Sequence, residues 1–306
     1  MISLDSFLQI DLPAMIASLL VCLSCGIGGN FLVLRKQSLL SDSLAHSVLP
    51  GIVMGFVLSG TREVAPLFLG ALISALTAAF LIERLRQKTI LESGTIMGIV
   101  YTSFFALGVL LIAQSAAKKV DLDLDCVLFG QIEYIFWLGP KDWADLGDPS
   151  IWANFPREIM TLLGVFTLII LFVSFFWKEL KLTTFDSGWC HTIGLNPKFY
   201  HFGLIFILSL AIIASFEAVG SMVVVALIIC PAASAKLLSR SFGSQMFLCI
   251  CFSILAALLG YATASLLPIL LKMPHALSAS GMIATMSGVL FVCAFLYSRM
   301  SNFRSL

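Results

Sequence analysis

The chain has 306 residues, of which 59% are hydrophobic and only 11% are charged, and its mean hydropathy is +1.03. A soluble globular domain carries about 25% charged residues, so this composition excludes a soluble fold and indicates a membrane protein. The net charge of +1 carries no information about partners. We expect membrane lipid around the chain and no nucleic acid among its partners.

Apolar stretches long enough to cross a bilayer recur along the whole chain. A transmembrane helix needs about 20 mostly apolar residues. The sequence therefore predicts an all-α, polytopic membrane bundle of about nine helices, with eight to ten compatible with the pattern, in a single domain over 1–306. The predicted spans are 13–34, 43–60, 64–83, 94–114, 159–177, 202–217, 219–237, 245–267 and 279–298.

The distribution of lysine and arginine predicts the orientation of these spans. Cytoplasmic loops are enriched in both residue types. If the N-terminus is outside, 12 of the 18 basic residues fall on the inner side and the other six on the outer side. We therefore expect an external N-terminus and a cytoplasmic C-terminus.

The stretch "SDSLAHSVLPG" combines two polar side chains with a helix-disrupting dipeptide. Asp42 and His46 are four residues apart, which places both side chains on one face of a helix. Carboxylate and imidazole together suit divalent ions such as Mn, Fe and Zn, and two ligands are too few for a closed structural site. Pro50 and Gly51 follow at once, and interrupted helices at membrane depth are tolerated mainly where backbone lines a cavity.

A simpler reading of this stretch stays open at this point. Asp42 or Ser41 can serve as the N-cap of the second helix, with His46 as a satisfied interior histidine. In the metal-site reading, a symmetry mate would supply a second aspartate and a second histidine, and water would complete the coordination shell.

Two connecting segments differ from the other loops. Residues 115–158 are irregular and predict an external loop, whose aromatic part "CVLFGQIEYIFWLG" is compatible with an interfacial or re-entrant helix. Residues 178–201 form a long, polar inner segment, and its glycines and proline predict a short helix followed by a turn. Such a surface suits a cytoplasmic partner.

Two further residues stand out in the second half of the chain. Glu217 is an acid near the outer end of its span, where a salt bridge or snorkelling would satisfy it and where a second cation site is the competing reading. Pro231, in "LIICPAASA", should kink its helix, and the small residues beside it permit close helix packing.

The chain contains no GxxxxGK[ST] phosphate loop and no hydrolase motif, so we expect a transport subunit that is not itself an enzyme. Its motifs resemble the membrane permeases of ABC-type importers for manganese, zinc and iron. The resemblance covers nearly the whole chain and rests on five segments in order: "GGNFLVLRKQSLLSDSLAHSVLPG", "ESGTIMGIVYTSFFALGVLL", "VDLDLDCVLFGQI", "TTFDSGWCHTIGLNP" and "VGSMVVVALIICPAASAKLL".

This resemblance implies the type II ABC importer permease fold in a bacterial inner or plasma membrane. It implies a dimer with a second, identical or homologous permease, two cytoplasmic ATP-binding subunits that use the ATP, and an extracytoplasmic metal-binding protein. No cofactor is bound permanently, and the divalent metal ion is the transported substrate. Asp42 and His46 would line the metal path. The segment containing Asp186, Gly188 and Gly194 would dock into the ATPase.

Some positions depart from the family pattern, among them Cys190, Glu217 and "KMPHALSASG" before the last span. The expected function is ATP-driven import of Mn, Zn or Fe by alternating access. The alternatives are a proton-coupled secondary carrier that uses Asp42 and His46 as a relay, and a purely structural membrane protein. The sequence leaves the metal open, as well as the choice between homodimer and heterodimer.

Overall fold

A computed structural model describes residues 7–60, 63–116, 130, 132–138, 152, 154–271 and 277–303. Within these ranges the regular structure is helical throughout. A π-helical turn, Phe7–Asp11, precedes the first helix, and a 3₁₀ turn, Ile132–Tyr134, follows the fifth. The α-helices are α1 (Leu12–Leu34), α2 (Leu39–Ser47), α3 (Leu49–Ser59), α4 (Val64–Lys88), α5 (Ser93–Ala116), α6 (Arg157–Phe175), α7 (Trp177–Phe185), α8 (Ser187–Thr192), α9 (Pro197–Val219), α10 (Ser221–Leu238), α11 (Phe242–Leu270) and α12 (Ala279–Phe303).

The helix lengths confirm the predicted all-α membrane bundle. In the described part of the chain, eight helical stretches are long and apolar enough to cross a bilayer, and one of them combines α2 with α3. The seventh predicted span, 219–237, corresponds to α10, whose apolar part, Val223–Leu238, is shorter than the roughly 20 residues of a full crossing. The chain is therefore a multi-pass membrane protein, and the eight stretches found among its described residues equal the lower end of the predicted range.

The apolar helices differ in how much of their surface the chain itself covers. In α9, 78% of the most apolar 18-residue stretch is buried by the rest of the chain. In α5 and in α6 the corresponding share is 22%. Helices α5 and α6 also carry large exposed side chains, among them Leu110 and Leu171. Exposed apolar side chains of this density require lipid or protein contact, which agrees with the predicted lipid environment.

The chain divides into two compact units, each assembled from discontinuous segments. Unit 1 comprises Met1–Asn30, Cys126–Leu171 and Ala214–Leu306, and unit 2 comprises Phe31–Asp125 and Phe172–Ile213. Whether these two units form the single domain expected over 1–306 is not tested by this division, and the single domain remains a prediction.

Unit 1 is held together by close helix approach and by buried polar pairs. A methyl group at Gly29 in α1 would overlap the backbone carbonyl of Ile228 in α10, so only glycine permits this approach. One residue further on, the Asn30 side-chain oxygen accepts a hydrogen bond of 2.8 Å from Gln245 Nε2 in α11. Both side chains are buried, and the pairing satisfies groups that would otherwise be costly in an apolar interior.

The cysteines of the CxxC sequence in α1 are packing residues. Cys22 and Cys25 are free and fully buried. The Cys25 sulfur lies 3.4 Å from the hydroxyl oxygen of Ser215. Both thiols therefore pack in the helical interior of unit 1.

Unit 2 contains the helices that carry the candidate metal site. Gly51 of α3 and Gly70 of α4 lie so close that a methyl group on either would overlap the backbone carbonyl of the other. Gly55 makes a similar approach to Pro66. The glycines thus bring α3 and α4 into backbone contact, the arrangement that small residues favour between membrane helices.

Most of the predicted external loop 115–158 lies outside the described residues, as do six of the 14 residues of the proposed re-entrant helix, 126–139. Its described part contains the 3₁₀ turn and the buried Trp137, whose backbone N–H donates to the Gln9 carbonyl at 3.0 Å. The Trp137 ring packs between Trp152 and Phe155, with centroids at 5.3 and 4.9 Å. This short stretch is anchored in unit 1 by aromatic packing.

Replacing Gly29 tests the close approach in unit 1. The substitution Gly29→Ala should lower the free energy of unfolding by about 1–3 kcal/mol, because the added methyl group overlaps rigid backbone. Thermal unfolding of the purified protein in detergent measures the change. Gly164→Ala in α6 is the matched control, since a methyl group there meets open space. An unchanged melting temperature for Gly29→Ala would contradict the packing described.

Candidate functional site

A helix break separates α2 from α3 at Val48, immediately beyond His46. Pro50 has no backbone N–H, so the usual donor to the His46 carbonyl is missing. The Gly51 N–H bonds to Val48 at 3.0 Å instead of continuing the helical pattern to Ser47. The Ser74 hydroxyl of α4 donates to the Ser47 carbonyl at 2.6 Å and replaces that lost bond. The predicted Pro-Gly interruption is thus a real break, and α4 stabilises it.

Asp42 and His46 face each other on α2, as their spacing predicts. His46 Nε2 lies 3.4 Å from Asp42 Oδ1. The two side chains are partly accessible, at 19% for His46 and 33% for Asp42, while their neighbours on α2 are buried. The pair therefore stands on a buried helix but stays reachable for a small ion.

Two aromatic rings of α5 hold the His46 imidazole. Tyr101 lies at a centroid distance of 5.3 Å, and Phe105 meets the imidazole edge-on at 5.5 Å. The Ser43 hydroxyl lies 3.3 Å from the Met97 carbonyl and ties α2 to α5 as well. Packing therefore orients His46 and α2, and a binding site at this pair would need such fixed geometry.

The distance between the two side-chain atoms fits a shared ion. Ligand atoms at about 2.1 Å from one metal ion, at angles from 90° to the tetrahedral value, lie about 3.0–3.5 Å apart. The 3.4 Å between Asp42 and His46 falls in this range. Within the described ranges no group of three or more His, Cys, Asp or Glu side chains could hold a metal ion. A transition-metal ion at this pair would need ligands from water or from a second chain.

The alternative that Asp42 or Ser41 caps the second helix is wrong. The N-cap of α2 is Ser38, and Asp42 lies inside the helix. The Ser41 hydroxyl donates to the Ser38 carbonyl at 2.6 Å and bonds no free helix N–H. A charged side chain at Asp42 is thus not explained by helix capping.

Glu217 and Pro231 belong to unit 1. Glu217 is exposed near the end of α9, and the chain turns at Gly220, whose φ is +81°. Its role as a second cation site stays a prediction. Pro231 lies inside α10, which continues through it to Leu238.

The inner segment has the predicted short helix followed by a turn. Asp186 ends α7, and its Oδ1 accepts a hydrogen bond of 2.9 Å from the Trp189 N–H of α8. Gly194, at φ +76°, closes α8 in the left-handed conformation, and the next N–H bonds back to Cys190 at 3.0 Å. Asp186 and Gly194 therefore shape this segment. Gly188 is exposed, and its role stays a prediction.

The same segment presents an apolar stripe that the sequence analysis did not single out. Phe185, Trp189 and Ile193 are 60%, 56% and 49% exposed. Their spacing of four residues is the signal that was available in the sequence. Phe185 ends α7, Trp189 lies in α8 and Ile193 follows α8, and exposed apolar residues grouped in this way are typical of a surface that a partner covers.

Comparison with known proteins places the chain in a family. A family model described as the ABC 3 transport family matches residues 7–136 and 151–298. The chain is 35% identical over 280 residues to the manganese transport system membrane protein MntD of Bacillus subtilis, covering 91% of this chain and 89% of that protein. It is 33% identical over 287 residues to the zinc transport system membrane protein TroD of Treponema pallidum, covering 94% and 74%.

A solved structure supports the same assignment. The chain aligns with PsaBC from Streptococcus pneumoniae in complex with Fab at a TM-score of 0.73 and 29% identity, over 93% of this chain and 90% of that one. The family model covers most of the chain, and relatives above 30% identity span most of its length. The chain therefore belongs to the ABC 3 transport family.

Proposed function

We propose that this chain is the permease subunit of an ATP-driven importer of divalent transition metal ions in a bacterial inner or plasma membrane. The observation that carries the proposal is the Asp42–His46 pair, whose donor atoms lie 3.4 Å apart beside a helix break. The named functions of the relatives, manganese and zinc transport, support this substrate class. Iron remains a third candidate substrate, because a carboxylate and an imidazole also bind Fe(II).

The ligand pair suits transient binding. One carboxylate and one imidazole leave most of the coordination shell of the ion to water, so the ion can exchange quickly. A second permease subunit that brought the same pair to the ion would add a second negative charge and neutralise the divalent cation. Whether that subunit is identical or homologous, the combined set holds the ion without a closed cage.

The energy comes from a separate ATP-binding subunit in this proposal. Two such subunits dock against the inner segments of the permease dimer, and the stripe Phe185, Trp189 and Ile193 is the contact surface. An extracytoplasmic metal-binding protein delivers the ion at the opposite face. ATP binding and hydrolysis move the inner segments, and the site opens alternately outward and inward. The N-terminus lies outside and the C-terminus inside.

Removing either ligand should abolish transport. Asp42→Asn and His46→Gln should each reduce uptake of Mn, Zn or Fe(II) by at least about tenfold, because hydrogen bonds and charge contacts to ionised groups contribute about 1.5–3 kcal/mol or more. Isotope-traced uptake in cells that express the chain with its ATPase and binding protein measures this at matched membrane abundance.

Glu92→Gln serves as the matched control, since Glu92 is an exposed carboxylate in the loop between α4 and α5. Normal uptake by Asp42→Asn would show that Asp42 is not needed for transport and would contradict the proposed site. Uptake that needs no ATPase and stops when the proton gradient collapses would favour a proton-coupled secondary carrier instead.

Truncating the apolar stripe should release the ATP-binding subunit. Trp189→Ala should weaken association by at least about 2 kcal/mol, since buried tryptophans are common anchors of protein interfaces. Co-purification of the two subunits at graded salt and detergent concentrations reports the loss. Tyr134→Ala, at a 69% exposed position on the predicted outer face, is the control. Full retention of the ATPase by Trp189→Ala would rule out this docking surface.

A further inference from the structure

Arg35 follows α1 in a turn that fixes its direction. The Gln37 N–H bonds to the Leu32 carbonyl at 2.9 Å and the Lys36 N–H to Val33 at 3.3 Å. Lys36 adopts a left-handed conformation with φ +56°, a position where glycine is usual. These two backbone hydrogen bonds and the left-handed conformation of Lys36 turn the chain sharply just after Arg35.

The Arg35 guanidinium bridges two other helices of unit 2. Nε donates to Thr184 Oγ1 at 3.2 Å, and Nη2 donates to Thr183 Oγ1 at 3.1 Å, both in the last turn of α7. Nη1 lies 3.1 Å from His201 Nδ1 in the first turns of α9. Burial lowers the pKa of Arg35 to about 10, so the group is still charged at neutral pH.

The positions of the Thr184 hydroxyl hydrogen and of the His201 imidazole proton follow from the hydrogen bonds around them. The Thr184 hydroxyl donates to the Leu180 carbonyl at 2.6 Å, which leaves its oxygen lone pairs for Arg35. Arginine has no acceptor, so His201 Nδ1 must accept and the imidazole proton must sit on Nε2. That Nε2–H points toward Glu83 Oε2 of α4, at 3.7 Å.

The result is a polar cluster between α7 and α4, in which Arg35 bonds to the two threonines and His201 lies 3.7 Å from Glu83. Its members are Thr183, Thr184, Arg35, His201 and Glu83, and Arg86 lies 3.6 Å from the same Glu83 oxygen. The α7 end of this connection leads directly into α8 and the proposed ATPase surface. The α4 end belongs to the helix that donates from Ser74 to the broken turn beside His46.

We propose that Arg35 is a positioning residue that transmits movement of the inner segment α7–α8 to α4, and through α4 to the Asp42–His46 pair. The inference rests on the proposed function, because it needs an ATPase that moves α8. A fork of donors shared between two helices suits this role, since arginine holds several acceptors in fixed geometry and lysine cannot. The cluster therefore links hydrolysis outside the membrane to the state of the ion site.

A structural role alone would predict a different result from a coupling role. If Arg35 only stabilised the fold, weakening its contacts would reduce ATP hydrolysis and transport together. If it transmits movement, hydrolysis continues while transport fails. The ratio of metal ions transported to ATP hydrolysed distinguishes the two.

The test uses the full complex with its ATPase and binding protein in proteoliposomes, with Mn(II) as the transported probe. The double variant Thr183→Val/Thr184→Val removes both hydroxyl acceptors at nearly constant volume. We expect ATP hydrolysis to persist and Mn(II) transported per ATP to fall on the order of tenfold. Thr183→Ser/Thr184→Ser restores the acceptors and should restore the ratio.

Two further variants complete the design. Thr77→Val in α4 is the control, because Thr77 is exposed and bonds only within its own helix. Glu83→Leu removes the acceptor at the other end of the connection and should lower the same ratio, which keeps the test valid if the valine double variant fails to fold.

Three outcomes would overturn the inference. They are an unchanged ratio in the folded variants, a parallel loss of hydrolysis and transport, and a serine variant as defective as the valine variant. A wild-type complex that shows no ATP-dependent uptake of Mn(II), Zn(II) or Fe(II) would overturn the proposed function first, and the coupling role of Arg35 with it.

Discussion

The break between α2 and α3 is the constraint on which the functional half of the structure depends. Proline at position 50 removes a donor in an apolar environment, where an unpaired carbonyl is expensive. Ser74 of α4 supplies the missing bond to Ser47, and the glycine contact between Gly51 and Gly70 keeps α4 near enough to do so. The same break ends α2 at Ser47, one residue beyond His46.

The polar groups of this apolar chain are concentrated in a few paired sets. Asp42 pairs with His46, Asn30 with Gln245, and Arg35 with two threonines and a histidine. The first set lies within one helix, whereas the other two join helices that are far apart along the chain. In a membrane, where apolar contact between helices is no better than contact with lipid, such pairs and small-residue contacts determine which helices meet.

Local patterns account for what the sequence predicted correctly. Apolar stretches specify membrane helices because their length is matched to the bilayer, and the spacing of Asp42 and His46 specifies a shared helix face. Gly194 closes a helix because few other residues adopt its conformation. The helix ends in the structure were needed to show that α10 is short and that the described residues contain eight full-length spans.

Features that join distant segments were beyond sequence reasoning. Arg35 meets Thr183, Thr184 and His201, which lie 148, 149 and 166 residues away along the chain. Ser74 is an ordinary serine in an apolar helix until the fold brings it to Ser47. The packing of Tyr101 and Phe105 around His46 is likewise set by tertiary contact and has no local signature.

The central claim is that Asp42 and His46 bind the transported ion, and metal binding without turnover tests it most directly. Titration of the purified permease with Mn(II), followed by the electron paramagnetic resonance signal of the free ion, gives affinity and stoichiometry. The account predicts saturable binding that is lost in Asp42→Asn and in His46→Gln while the melting temperature stays near that of the wild type. Equal affinity and stoichiometry in wild type and both variants would contradict it.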